Sequence, residues 1–203
     1  MSASLHALAR RGVVSRLRRG VQIITEGDRG DSLYIVLSGQ LRTYSVNAEG
    51  KEVTYSLYGP GEFVGEMGLD GGLRSANAET TRPSLCALVT RTTLERHLAE
   101  EPAFAFELLA KVIRQARQAT LSLRQIALND VYGRLKALLE VQSKAQGDGT
   151  WLWQPASSHL EISRQLGCSR EMVSRVLKDL ETGGYVQVGR RRVVLRRVLP
   201  SKW

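Results

Sequence analysis

The sequence predicts an α+β chain: an antiparallel β-domain of sandwich or small-barrel type, then a long helix, then a small helical module closed by a hairpin. Three observations carry this expectation. Short β-branched and aromatic runs, separated by turn residues, fill residues 21–90. Near residue 92 the apolar period changes from two to between three and four, and no Gly or Pro interrupts it from residue 103 to about residue 128. The positive charge gathers in the last third of the chain. Strands first and helices afterwards is the order of an α+β fold.

In the β-region, "VQIIT", "SLYIVLSG", "QLRTYSV", "EVTYSLY" and "LCALVT" read as strands, with "EGDRGD", "NAEGK" and "GPGE" as turns. Regular short strands with turn signals suggest a sandwich or barrel. The stretch "GEFVGEMGLDGGLRSANAET", residues 61–80, interrupts the series with five glycines around Glu66 and Arg74. It has two readings, a turn that packs or a cradle for a phosphate.

Next, "TTLERHLAE" reads as a short helix with Thr92 or Thr93 as its N-cap. Pro102 then opens a long helical stretch to about Leu128. Leu108, Leu109, Val112, Ile113, Ala116, Ala119, Thr120, Leu123 and Ala127 recur along it at three- and four-residue steps. Such a helix is about 40 Å long at about 1.5 Å per residue. It either packs on its own domain or pairs with a second copy of itself. Pairing is favoured, because a β-domain of this size cannot cover that length. Asn129-Asp130 marks a break before "VYGRLKALLEVQSKA", a further helix, and the segment around Trp151 and Trp153 has strand character. The expected division is residues 1–101 for the β-domain, 102–129 for the long helix and hinge, and 130–203 for the C-terminal module.

That module carries the sharpest pattern. Ser158 and Glu161 have capping-box spacing and open a short helix that ends at Gly167. The turn "GCS" leads to a second helix capped by Ser169. Val173, Val176, Leu177 and Leu180 form its buried stripe, while Arg170, Glu171, Ser174, Arg175 and Lys178 share the other face. Gly183-Gly184 ends it, and "YVQVGRRRVVL" reads as a hairpin with Arg190, Arg191 and Arg192 at its tip. Two short helices joined by a tight Gly-containing turn are a helix-turn-helix. Arg can pair with guanine and Glu can accept from cytosine, so the exposed face has the residue types that read double-stranded DNA. The hairpin arginines suit phosphates. A solvated helix face with ordinary charges is the plain alternative, and the turn, stripe, hairpin and charge together weigh against it.

Charge and composition narrow the class further. The net charge is +9; residues 1–130 hold 16 Lys+Arg and 14 Asp+Glu, a net of +2, and residues 131–203 hold 13 and 6, a net of +7. A basic module beside a near-neutral one suits a polyanionic partner. No run of about 18 apolar residues is present, so no membrane span is expected. The N-terminus lacks a signal-peptide stretch, which fits a cytoplasmic protein. Two isolated cysteines, Cys86 and Cys168, lack metal-ligand spacing, so neither an iron–sulfur cluster nor a metal is expected. His6, His97 and His159 show no arrangement for haem and read as surface or helix residues. Cys86 reads as core, and Cys168 as buried in the turn. No catalytic constellation is visible, so an enzyme is not expected.

Over nearly its whole length the chain resembles the cAMP receptor protein/FNR family of bacterial transcription regulators. The resemblance implies a jelly-roll effector domain, a long dimerisation helix, a hinge and a winged helix-turn-helix. "GCSREMVSRVLKDLE" is similar to the recognition motif of the family's cAMP-responsive branch. It implies that Arg170, Glu171 and Arg175 read a TGTGA-type half-site, with Lys178 near the backbone and Ser174, Ser158, His159, Arg190 and Arg191 also at the DNA. It implies a homodimer on an inverted repeat, with RNA polymerase as a further partner. In the β-domain, the family's phosphate cassette corresponds to Gly65, Glu66, Arg74 and Ser75. Arg74 would meet a phosphate, Ser75 would add a donor and Glu66 would accept a ribose 2′-hydroxyl. The Glu66-to-Arg74 spacing is shorter by two residues than in cAMP-binding members. Ala119 and Thr120 fall where those members place two adjacent hydroxyls against the purine, and Ala119 has none. The implied ligand is a cyclic nucleotide, cAMP first. Cyclic di-GMP, or constitutive binding without a ligand, are the alternatives.

Overall fold

Two four-stranded antiparallel sheets form the N-terminal part of the molecule, seen here in a computed structural model. It describes the backbone of residues 1–203 and the side chains of residues 1–124 and 129–203. The chain divides into two compact units, residues 1–114 and 115–203. In the first unit a short helix, α1 (Ala3–Ala9), precedes β1 (Val13–Leu17), β2 (Gln22–Ile24), β3 (Ser32–Ser38), β4 (Leu41–Val46), β5 (Glu52–Tyr58), β6 (Phe63–Val64), β7 (Asn77–Thr80) and β8 (Ser84–Thr90). One sheet has the order β1-β8-β3-β6 and the other β2-β7-β4-β5, with every pairing antiparallel. The α+β class expected from the sequence is the one observed.

The period-two pattern decides what each sheet face touches. From β3 and β8, Leu33, Ile35, Ala87 and Val89 join a core with Leu5 and Leu8 of α1, Phe63, Leu94 and Phe104. Val36 and Cys86, on the opposite face, join Ile24, Leu41, Tyr58, Val64 and Ala78 from the second sheet. One face of the first sheet is therefore roofed by helices. The other contributes to the inter-sheet core, where Cys86 is buried as expected.

Helix α2 (Arg91–Glu100) follows β8 directly. Its N-cap is Thr90, whose hydroxyl accepts from Thr93 N–H, rather than Thr92 or Thr93. Thr90 holds the last extended backbone of β8, and a cap needs that conformation. His97 on α2 is fully buried, with Nε2 3.0 Å from Ser4 Oγ and its ring edge-on to Phe104. Then α3 (Phe104–Leu128) continues unbroken across the division between the two units. Of the expected apolar stripe, Leu108 alone among the described residues is half-buried; Leu109, Val112, Ile113, Ala116, Ala119, Thr120 and Leu123 are exposed. Ala127 lies outside the described side chains.

In the second unit, Asp130 caps α4 (Val131–Gln142) through Gly133 N–H. Next come β9 (Lys144–Ala145), β10 (Trp151–Trp153), α5 (His159–Leu166), α6 (Arg170–Thr182), β11 (Val186–Gly189) and β12 (Arg192–Leu195). The four strands form an antiparallel sheet of order β11-β12-β10-β9. Tyr132, Leu135, Leu139, Trp153, Ile162, Leu177, Leu180 and Val193 share one core. Cys168 packs against that core but is only half-buried, less than expected.

Candidate ligand and nucleic-acid sites

The glycine-rich stretch folds as a short 3-10 helix, Glu66–Asp70, followed by an irregular run back into β7. Gly65 precedes it with φ of 104°, a conformation that residues with a Cβ rarely adopt. The run is tied to the turn before β3: Arg74 N–H donates to Asp28 O at 2.8 Å and Gly27 N–H to Arg74 O at 2.9 Å. Those bonds aim the Arg74 side chain inwards, where it is only 7% exposed.

Arg74 Nη1 donates to Gly65 O at 2.7 Å, and Nη2 to Ser32 O and Ser32 Oγ at 3.0 and 3.1 Å. Three glycines make room for the guanidinium. A Cβ on Gly30 would stand 2.6 Å from Nε, and one on Gly65 or Gly68 would stand 3.0 Å from Nη1. Every acceptor so bonded is a neutral oxygen, and among the described residues no carboxylate ion-pairs with Arg74. Arg42 is the contrast within the same unit. It is equally buried, but Glu52 and Glu79 each hold it at 2.7 Å and Tyr44 stacks beneath it. Arg42 is internally neutralised; Arg74 is a buried cation bonded to neutral oxygens, and a guanidinium fork is a geometry that suits phosphate.

Glu66 is also buried, and its Oε2 lies 3.6 Å from Nζ of Lys111 on α3. Lys111 sits over the rings of Phe63 and Tyr58, 3.7 and 4.9 Å from their centroids. Burial pulls its ammonium down from 10.5 to about 8, with Glu66 and Glu62 opposing part of that shift. Ser75 is exposed and its hydroxyl meets Met67 Sδ at 3.4 Å. Gly65, Glu66 and Arg74 are thus brought together, with Ser75 beside Arg74 in the chain. Thr120 and Ala119 are exposed on the part of α3 that belongs to the second unit, where Thr120 Oγ1 donates to Ala116 O at 3.1 Å. Sequence reasoning missed Gly30, Ser32, Gly68 and Lys111. The signal for Lys111 was present: Phe104, Leu108, Lys111 and Gln115 recur at steps of four, three and four, and all four are at least half-buried.

In the second unit the helix-turn-helix is built as its caps require. Ser158 Oγ accepts from Glu161 N–H, and the Glu161 carboxylate accepts from Ser158 N–H. Gly167 ends α5 in the left-handed conformation, and Ser169 Oγ accepts from Met172 N–H to open α6. Val173, Val176, Leu177 and Leu180 are buried. Arg170, Glu171, Ser174, Arg175 and Lys178 line one open concavity on the outer face. His159 joins them, its Nδ1 2.8 Å from Ser174 Oγ. Arg190 and Arg191 are exposed and form the two-residue turn between β11 and β12, where Arg191 has a φ of 53°. Arg191 O accepts from Ala156 N–H at 2.8 Å, which ties the hairpin tip to the segment leading into α5.

Among the described residues, no group of His, Cys, Asp or Glu is arranged to hold a metal ion, and no helix is long and apolar enough to cross a membrane.

Comparison with known proteins gives a family for each unit. A cyclic nucleotide-binding domain model matches residues 14–101, and a Crp-like helix-turn-helix domain model matches residues 134–198. The chain is 35% identical over 180 residues to the cyclic AMP receptor protein of Thermus thermophilus, covering 88% of this chain and 81% of that one. It is 28% identical over 181 residues to a CRP-like cAMP-activated global transcriptional regulator of Mycobacterium tuberculosis, covering 87% and 81%. Among solved structures it is similar to the c-di-GMP responsive global regulator CLP of Xanthomonas campestris, with a TM-score of 0.81, 25% identity and coverage of 95% and 97%.

Proposed function

This chain belongs to the CRP/FNR family of DNA-binding transcription regulators, with a cyclic nucleotide-binding domain and a Crp-like helix-turn-helix, and on that premise we propose that it is a ligand-gated homodimer acting on an inverted-repeat operator. The ligand is a cyclic nucleotide, cAMP first. The observation that carries this reading is Arg74, a buried guanidinium with no carboxylate partner among the described residues, enclosed by Gly30, Gly65 and Gly68. Arg74 would neutralise the cyclic phosphate, Ser75 would add a hydroxyl donor, Glu66 would accept the ribose 2′-hydroxyl and Thr120 would meet the base.

The exposed apolar row of α3 supports pairing with a second copy through residues of about 102–128. A two-fold dimer reads two half-sites about one helical turn apart. Arg170, Glu171 and Arg175 would contact base edges of a TGTGA-type half-site. Ser174, His159, Lys178, Ser158, Arg190 and Arg191 would position the protein on the backbone. The protein works in the cytoplasm, with RNA polymerase as its further partner. Binding of the nucleotide gates the operator only through differential affinity for two arrangements of the helix pair. A second reading has a specific support: Ala119 offers the base no hydrogen bond, and the Xanthomonas regulator it resembles responds to cyclic di-GMP.

The test is a thermal-shift titration with cAMP and with cyclic di-GMP, paired with operator affinity. A ligand at about 100 times its Kd stabilises the folded state by about 2.7 kcal/mol. The expected result is such a shift with cAMP and a ligand-dependent rise in operator affinity, both removed by Arg74→Ala. A shift with cyclic di-GMP alone selects the second reading. Full operator affinity without any nucleotide, unchanged by Arg74→Ala, would rule out gating through this site.

A further inference from the structure

On the inward side of α3, between the half-buried Leu108 and Gln115, stands one charged side chain, Lys111, while the helix's other charged residues among those described are exposed. Lys111 is buried against the β-domain, while its neighbours Leu109, Val112 and Ile113 are exposed. An amphipathic helix on a domain surface ordinarily turns its apolar side inwards. Taking an ammonium out of water is costly unless groups inside compensate it. Here the compensation comes from the faces of Phe63 and Tyr58 and from the Glu66 carboxylate. The Lys111 Nζ to Glu66 Oε2 separation is 3.6 Å. A direct charge-assisted hydrogen bond would be about 2.8 Å. At that separation the cation draws the carboxylate by attraction and so helps to fix where it stands.

We propose that Lys111 is a positioning residue that sets the site's preference for a ribose over a deoxyribose nucleotide, acting through Glu66. It does not touch the ligand. It holds the carboxylate in the place where a 2′-hydroxyl donates, and because it stands on α3 it links that contact to the start of the long helix. This rests on the reading that Glu66 accepts the ribose 2′-hydroxyl of a nucleotide bound at Arg74.

The experiment measures the affinities of cAMP and 2′-deoxy-cAMP for the full chain by calorimetry, in wild type, Lys111→Met, Lys111→Gln, Glu66→Gln and Lys111→Met/Glu66→Gln. Wild type should prefer cAMP by about tenfold, the worth of one hydrogen bond to a charged acceptor. Lys111→Met should reduce that preference to about threefold or less by weakening cAMP while leaving 2′-deoxy-cAMP unchanged. In the Glu66→Gln background it should add nothing, because the two act as one unit. Lys111→Gln, which keeps a polar head without charge, should follow Lys111→Met and stands in for it should that variant not fold. Equal weakening of both nucleotides would reduce Lys111 to a packing residue and overturn the proposal, as would an unchanged preference. Tight binding of both nucleotides by wild type without preference would also overturn it, with the phosphate site intact. Binding of neither would overturn the ligand reading beneath it.

Discussion

At the scale of single residues, two buried cations in the β-domain differ in their partners. Arg42 is neutralised by two carboxylates, whereas Arg74 is bonded to neutral oxygens, which is why the proposed phosphate contact falls to Arg74. Lys111 lies between these cases. Burial lowers it to about 8 from 10.5, so between those two values the unfolded chain binds the more protons. Stability therefore rises with pH across that window, and the burial cost is fully present below it. Comparing urea unfolding of wild type and Lys111→Met should show wild type gaining about 2 kcal/mol on its variant between about pH 7.5 and 10, with a constant difference below. A difference that is flat through pH 10 would mean that the ammonium is solvated. On the DNA face, Glu171 stands in the first turn of α6, with its side chain exposed. Glu171→Ala should narrow the spread of affinities over half-site base variants by about 1–3 kcal/mol, the worth of one base-edge contact. Unchanged relative affinities would remove Glu171 from the reading set.

At the scale of elements, α3 matters most. Phe106, Leu109, Val112, Ile113, Leu121 and Leu123 are each more than 40% exposed along it, an apolar row with no cover within the described chain. A row of that length is the surface through which the proposed pairing with a second copy would form. Ile113→Asp should convert the protein to monomers by light scattering and reduce operator affinity to that of a single half-site. An unaltered dimer mass would place the interface elsewhere.

The elements also show how much the sequence disclosed. Helix α4 was legible as a helix after the break at Asn129-Asp130, and α5 and α6 were legible with their caps, because Ser158, Glu161, Gly167 and Ser169 act on neighbours three or four residues away. The five principal strand runs were legible from their composition. Strand β1 was not, because it is a sheet edge with Val13 and Val14 exposed, so no alternation betrays it. Strands β6 and β7 lay hidden in the glycine-rich stretch. The helix stripe was read correctly as apolar, but which side of α3 would face the domain was not visible.

For the whole molecule, the family followed from motif order: a glycine-rich cassette within a β-domain, a long helix and a winged helix-turn-helix. Helix α3 runs unbroken across the division between the two compact units, so under the proposed gating it is the element along which an event at Glu66 and Lys111 would be passed on. If the proposed gating holds, it must be reciprocal, so whatever the nucleotide does for operator affinity the operator does for nucleotide affinity. By itself the sequence determined most of the elements, the caps of α5 and α6, the helix-turn-helix, the concentration of charge and the family, because each is written in residues close together along the chain. The enclosure of Arg74 by Gly30, Gly65 and Gly68, the pairing of Glu66 with Lys111 and the outward turn of the apolar row on α3 were decided only by tertiary structure. Burial and pairing depend on which distant segments fold against one another, and no local pattern records that.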